Sequence, residues 1–577
     1  MNINANNNLK PSFSDRDEKK VVSKKRTSSS KSSAMNKTIE DMAEQKAQVN
    51  KLAVKSSPAI SKVDRDYVSL RDKFCAELEP KVIKANKDCW DFYINSTSEN
   101  MQRYQESEDA VYSLYKNEDL YKKFQDLEEK GLSDKHLTKQ IHDLVKSFDD
   151  ELNSGDLKKQ LREKENAIAS KFNAYVPQID GKDVSKAEIS QILQKENDVE
   201  LRKKAYEANV KAGDVIADDL VEFVKLRNEY AKSKGYKNFF EYNLKETYDV
   251  DADYLQKLLD EVHTNAFEMN QKLQKENKKE LAKEYGIAEK DLKQYHYGLI
   301  LKNNPAKDIN DALKTKEQVV DICKKAYKNM GYDIDNMPIT LDLFPRKNKN
   351  THGFCFDIEA GKDARILANL TNNTNSIDTL CHELGHCVYD IGIDTKLPFL
   401  EKDAHPAVTE AVAMMMGDLQ QKEDILKGLV SDEVLDRFKQ DHKKSEAKFI
   451  NRSMLIINFE KQMYENPDQN LPKLWHDLRV KYTGANKDEE LNNEWATIPH
   501  YLSHPAYYQN YFRATLMKAQ MYKSMKKDLG NLTENKGTAK YLDEKLFKYG
   551  TSVEESELIK MFTGSELSTD ALCESLK

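Results

Sequence analysis

Two histidines four residues apart flank a glutamate in His382-Glu383-Leu384-Gly385-His386. On a helix such residues lie one turn apart on the same face, so both imidazoles can reach one divalent ion. Zinc suits them, since imidazole nitrogens bind it at about 2.0–2.1 Å. Glu383, beside the first ligand, can reach a water on that ion without binding the ion itself. Zinc lowers the pKa of such a water toward about 7, and Glu383 can then take its proton as the water attacks a carbonyl. The pattern predicts metal-assisted hydrolysis. An ordinary helix with two solvent-facing histidines would carry the same five residues, and the neighbouring sequence separates the two readings. Ile377, Leu380, Leu384 and Val388 make this helix apolar, and buried histidines need partners.

A catalytic zinc takes three protein ligands and keeps one position open. Glu410, 24 residues past His386, is the candidate third. It lies in Thr409-Glu410-Ala411-Val412-Ala413-Met414-Met415-Met416, a second apolar helix, where a carboxylate is unexpected unless paired or bound to metal. The alternative is a half-exposed glutamate at a helix start. Cys381 and Cys387 flank the histidines, but adjacent helical residues point about 100° apart, so both thiols read as packing groups.

The elements that must position these residues are mostly helices. From about residue 60 onward, Leu, Ile, Phe and Tyr recur at three- and four-residue spacing among Lys and Glu. Only 19 Gly and 13 Pro occur in 577 residues, which favours long helices over many β-turns. The histidine-bearing helix is expected to start near Ser376 as N-cap and to stop at Gly392. Residues 337–370 break the pattern. Ile339–Phe344 alternates up to Pro345, and Gly353–Ile358 and Ala364–Ala368 follow, giving two or three short strands just ahead of that helix.

Composition narrows the function. The formal charge is −7 with no basic domain, so no nucleic-acid partner is expected. No run of roughly 20 apolar residues predicts a membrane span. Residues 1–55 read as a disordered polar tail carrying the run Lys24-Lys25-Arg26-Thr27-Ser28-Ser29-Ser30-Lys31, without the apolar segment of a signal peptide. Residues 56–577 then form the folded domain. Seven cysteines, an odd number without framework spacing, suit a reducing compartment. A cytoplasmic protein is expected, or an exported one if a leader precedes this sequence.

The stretch His352-Gly353-Phe354-Cys355-Phe356-Asp357…Gly361-Lys362-Asp363-Ala364-Arg365-Ile366, followed by His382–His386 and Glu410, resembles the angiotensin-converting-enzyme family of zinc peptidases. The likeness continues in Leu226-Arg227-Asn228-Glu229-Tyr230-Ala231-Lys232, in Leu474-Trp475…Leu478-Arg479…Lys481-Tyr482…Gly484 and in Phe562-Thr563-Gly564. It covers most of residues 60–577 and extends to thimet-type and bacterial oligoendopeptidases. The resemblance implies a mostly α, two-lobed, clam-like single domain around a deep cleft, with one zinc at its base and a small β-structure beside the zinc helix. It also implies release of C-terminal dipeptides from short peptides, with an endo-acting oligopeptidase as the alternative; a peptide-binding protein without catalysis is the remaining reading.

Carried over by position, His382, His386 and Glu410 match the family's zinc ligands and Glu383 its general base. His352 matches a substrate-contacting histidine, and Gly353 falls where a strand backbone bonds to the peptide. Tyr511 matches the transition-state tyrosine and Tyr508 one that contacts the substrate's C-terminal end. His500 is the stabilising histidine, with His504 as rival. Helical spacing of Tyr507, Tyr508 and Tyr511 also fits simple core packing. Two departures stand out. Animal members carry a carboxylate-binding lysine just before the histidine, where this chain has Ile498 and Pro499. They carry a chloride-binding arginine before the last tyrosine, and here it is Asn510. Strict dipeptide release and chloride activation are therefore not implied.

Overall fold

Helices dominate, as the apolar spacing predicts, and strands are few and short. The computed structural model describes residues 61–576 except 154, 302, 351, 423 and 424. The tail expected over residues 1–55, with its basic run, lies outside them. Two compact units can be distinguished. The smaller comprises the described residues up to Asp88 and Thr97–Asn153. It is built around an aromatic cluster in which Phe74, Tyr115, Phe124 and Phe148 meet at centroid distances of 5.2–6.1 Å. Edge-on and tilted contacts of this kind add to the burial of the rings. None of the candidate site residues lies in it.

The larger unit comprises Cys89–Ser96 and the described chain beyond residue 154. Among the described residues it contains two large hydrophobic cores and two small clusters. One gathers Ile377, Leu380, Leu384 and Val388 of the histidine helix (Thr374–Gly392) with Val408, Val412 and Met416 of the glutamate helix (Pro406–Gly417). The other joins a 35-residue helix, Val199–Ser233, to the long helix Asp432–Glu465 and to Leu471–Thr483. The tyrosine helix (Tyr508–Leu529) serves both, giving Ala514, Met517 and Met521 to the first and Phe512, Leu516 and Ala519 to the second. A helix clamped on two sides cannot rotate without opening one core.

The expected strands are present as one three-stranded sheet. Its central strand, Asp363–Leu367, pairs parallel with Ile339–Asp342 and antiparallel with the edge strand Phe354–Glu359. Phe354 and Phe356 of the edge strand pack on Tyr93 and Trp90 at 5.5 and 5.3 Å. The buried Lys349 ammonium donates to the carbonyls of Asp342, Phe344 and Ala368 and to the Asp342 carboxylate, tying the turn before His352 to the sheet. Among the described residues no helix is long and apolar enough to cross a membrane.

The histidine helix ends at Gly392 as expected, but its start differs from the sequence expectation. The N-cap is Asn373, whose extended backbone lets its side chain accept the Ser376 amide at 2.8 Å. Ser376 instead accepts the Thr371 amide with its hydroxyl at 2.9 Å, closing the incoming loop. At Gly392, the last helical residue, a Cβ would lie 2.7 Å from Phe547. A close side-chain contact, not a left-handed turn, explains that glycine.

Candidate active site

The two histidines project from one face of their helix, with ring centroids 4.9 Å apart. Pro406 opens the glutamate helix at a position where a missing amide is harmless. One turn later the helix delivers Thr409 and Glu410 opposite the histidines. The two helices approach closely at Gly385, where a Cβ would stand 2.8 Å from the Ala413 Cα and 3.2 Å from the Met416 Cγ. Potential ligand atoms of His382, His386 and Glu410 all lie within 4.8 Å of one another, and His382 Nε2 is 3.7 Å from Glu410 Oε2.

The donor set fits a divalent cation. Burial lowers the His382 pKa to about 4 and pushes that of His386 well below its ordinary value, so both imidazoles are neutral and able to offer a lone pair. The second oxygen of Glu410, Oε2, is buried without a hydrogen-bond partner. Such an orphan acceptor is costly unless something positive faces it. The other nitrogen and oxygen of the set are held from behind. His386 Nδ1 lies 2.7 Å from the Thr409 hydroxyl, and Tyr507 donates its hydroxyl to Glu410 Oε1 at 3.1 Å. Groups in such places fix ring orientation and ligand basicity.

Glu383 is buried beside this set. Its pKa rises to about 8, chiefly through burial and then through the charge of Glu410, while a hydrogen bond from the Cys355 amide works in the opposite direction. The edge strand thus touches the carboxylate through its backbone. Gly353 adjoins it too, since a Cβ there would lie 3.3 Å from Glu383 Oε1 and 3.1 Å from Thr379 Cγ2. His352 is exposed at the head of this strand, its ring 6.0 Å from Phe354. Cys381 and Cys387 are buried in the core as packing thiols, and Cys387 Sγ rests 3.1 Å from Cys355 Sγ.

The opposite wall is the segment 498–511. His500 packs against Tyr508 at 4.7 Å and against Tyr507 and Tyr511 at 6.1 Å each. Its pKa is lowered to about 4 by burial and by neighbouring His504, and its Nδ1 is buried without a partner. His504 instead places Nδ1 2.7 Å from the Ser503 hydroxyl. Tyr511 lies 5.1 Å from Tyr507 and 5.4 Å from Tyr508; burial and the charges of Glu410 and others push its hydroxyl pKa up, keeping it a donor. Buried side chains hold this segment in place. Arg227 donates to the Tyr501 and Leu502 carbonyls at 2.7 and 2.6 Å, and Asn243 to that of Pro505 at 2.6 Å. Glu460 accepts the Ala506 amide at 2.8 Å. Ala506 has φ +57°, a left-handed conformation that an alanine keeps only when its surroundings enforce it.

Tyr507, Thr409 and the Cys355 amide were not assigned roles from sequence. Tyr507 stands one turn before Tyr511 and Thr409 directly before Glu410, so helical periodicity around the predicted residues was the available signal. A second set of potential ligands, Asp418, His442 and Glu446, surrounds the Lys518 ammonium. Lys518 Nζ is 2.6 Å from Asp418 Oδ2 and 2.7 Å from Glu446 Oε1, so an internal cation already compensates those carboxylates.

Comparison with known proteins adds three findings. The sequence profile of Peptidase family M3 matches residues 192–577, well over half of the chain and all of the site above. The profile described as Angiotensin-converting enzyme matches residues 64–299. Oligopeptidase PepF of Bacillus subtilis (strain 168) is 24% identical over 391 residues, covering 63% of this chain and 55% of PepF. The chain therefore spans little more than half the length of that relative.

Proposed function

The chain belongs to Peptidase family M3, and from that premise we propose that it hydrolyses peptide bonds in short peptides with one zinc ion, releasing dipeptides from the carboxyl end. His382, His386 and Glu410 hold the ion. The observation that carries this reading is the buried orphan oxygen of Glu410 facing neutral His382, with Glu383 alongside. A zinc ion held there would supply Lewis acidity for the hydrolysis.

The chain's own groups do the rest. Glu383 accepts the proton of the attacking water at its carboxylate and passes it to the departing amine. Tyr511 and His500 donate to the oxygen that becomes negative as the carbonyl turns tetrahedral. The backbone from Gly353 to Cys355, at the free edge of the sheet, pairs with the peptide main chain and is indifferent to its side chains. His352 at the head of that edge contacts substrate, and Tyr508 faces its carboxyl end. Main-chain pairing of this kind accepts peptides of varied side-chain sequence. Seven free cysteines support residence in a reducing compartment.

A second reading, internal cleavage by an oligopeptidase, is favoured by Ile498 and Pro499 in place of a carboxylate-binding lysine and by the name of the B. subtilis relative. The test is peptide hydrolysis by the zinc-loaded chain, by the chelated chain and by zinc-loaded Glu383→Gln. Both changes should abolish turnover, and substantial activity in the substituted protein refutes the mechanism. Mass analysis of products from free and amidated peptides separates dipeptide release from internal cleavage.

A further inference from the structure

The helix that carries Tyr511 also carries a buried cation. Lys518 follows Tyr511 by seven residues, so it lies on the same face two turns on, about 10 Å along the axis. Its side chain is 3% exposed, and its ammonium is 2.6 Å from Asp418 Oδ2 and 2.7 Å from Glu446 Oε1. Asp418 is the C-cap of the glutamate helix, and Glu446 lies on the long helix. His442, one turn before Glu446, places Nε2 3.4 Å from Asp418 Oδ1. The same layer reaches the histidine helix. Gln420 donates to Asp378 Oδ1 at 3.4 Å, and a Cβ on Gly417 would stand 2.8 Å from that oxygen. Asp378 precedes His382 by one turn. The helices that bear His382, Glu410 and Tyr511 are thus joined, with the long helix, by one buried polar layer. No group in it has a part in the hydrolysis described above.

Stability alone is a weak reason for such a layer, because well-packed apolar residues of similar volume commonly do as well in place of a buried ion pair. Register is a stronger one. A small slide of the tyrosine helix along its axis trades some apolar contacts for others, whereas it opens the ion pair and strands buried charges. We propose that Lys518 is a positioning residue: by pinning the tyrosine helix to Asp418 and Glu446, it sets where Tyr511 stands relative to Glu410. The proposal rests on the peptidase reading above. The chemistry makes that distance matter. Tyr511 donates to an oxygen that becomes negative only as the carbonyl turns tetrahedral, so misplacing it lowers turnover and leaves substrate binding alone.

Lys518→Met alone leaves two buried carboxylates unpaired, so the test neutralises the layer as a whole with Lys518→Met, Asp418→Asn and Glu446→Gln in one full-length chain. This variant and the wild type are compared with and without Tyr511→Phe, all loaded with zinc, on one short fluorogenic peptide. In the Tyr511 background the neutral layer should keep one zinc per chain and lower kcat by about 10- to 100-fold, with KM changed by less than about twofold. In the Tyr511→Phe background the same three substitutions should lower kcat by less than about twofold, because the group they misplace is already gone. A layer that only supports the fold would cost the same factor in both backgrounds, and that result overturns the proposal, as does wild-type kcat in the neutral variant. Crystal structures of the two metal-free proteins give a readout apart from activity: Tyr511 should move from Glu410 by more than about 0.5 Å, the tolerance of a working site. An unmoved Tyr511 overturns the proposal. If the neutral variant does not fold, Glu446→Gln, which leaves Lys518 on Asp418 alone, carries the same cycle; a loss in kcat confined to the Tyr511 background supports the proposal and wild-type kcat overturns it. If the wild type cuts no peptide, the peptidase reading fails, and the displacement of Tyr511 alone decides whether Lys518 sets the register.

Discussion

Residues 374–417 bring His382, Glu383, His386 and Glu410 to the site on two helices whose facing sides are almost wholly apolar. Residues 498–511 bring His500, Tyr508 and Tyr511 on a chain reversal that buries Ile498, Tyr501, Leu502 and Ala506 in the second core and is also held by polar bonds from buried Arg227, Asn243 and Glu460. The first wall is set by volume, the second by volume and hydrogen bonds together. Groups that must hold an ion within a few tenths of an ångström gain from close packing, which is stiff. Groups that meet a substrate need direction more than stiffness, and a carbonyl pinned by a guanidinium supplies direction. The walls should therefore fail differently when perturbed.

The largest effect is expected at the helix crossing. In Gly385→Ala the new methyl would sit 2.8 Å from the Ala413 Cα, so the two helices must part. Overpacking of this kind costs about 1–3 kcal/mol. A displacement near 1 Å between the histidines and Glu410 should lower activity by about a hundredfold. Metal analysis should find less than one zinc per chain and thermal unfolding a lower Tm. A variant with full zinc content and wild-type kcat/KM would break the claim that volume sets this wall.

The reverse pattern is expected on the other side. Arg227→Met removes the donors to the Tyr501 and Leu502 carbonyls while leaving the first core intact. Turnover should drop by roughly 10- to 100-fold, as expected when positioning groups are lost, with zinc still bound at one per chain. Loss of the metal along with activity would show that the walls are not separable.

Tyr507 is where they meet, since its hydroxyl donates to Glu410 Oε1 at 3.1 Å. Tyr507→Phe should weaken zinc retention against a chelator by about tenfold, the lower end for a group that supports a ligand. Fold and Tm should change little. Unaltered retention would confine Tyr507 to packing against His500 and Tyr511.

The contrast also accounts for what could be read in the sequence. The apolar wall was legible because its signals are local: a four-residue histidine spacing, apolar positions on one face, and a carboxylate stranded in Ala, Val and Met. The strand boundaries near residues 339–367 followed from alternation. Arg227 and Asn228 were visible only as part of a family likeness; that Arg227 reaches residues 501 and 502, some 274 positions away, is a tertiary fact without a periodic signature. The N-cap was misplaced at Ser376 because Asn373 and Ser376 are both good caps, and the loop at Thr371 decides between them. Tyr507 was passed over because three tyrosines at helical spacing look alike until one of them meets Glu410.

A further effect concerns pH and belongs to the polar wall alone. Glu460 is 1% exposed, and burial raises its pKa to about 8 despite the Ala506 amide and the Arg227 charge, which both act to lower it. The folded state therefore prefers the protonated acid more than the unfolded chain does. That preference contributes stability in full below the ordinary glutamate pKa near 4.5 and loses it as pH rises through about 8. Glu460→Gln keeps an oxygen for the Ala506 amide but has no charge to bury. Compared with wild type it should be similar near pH 4.5 and more stable at pH 9, by on the order of a few kcal/mol. Urea unfolding at both pH values measures this. A stabilisation independent of pH would mean that Glu460 is neutral throughout, and a loss at pH 9 would mean that its negative charge, facing Arg227, holds the reversal at Ala506.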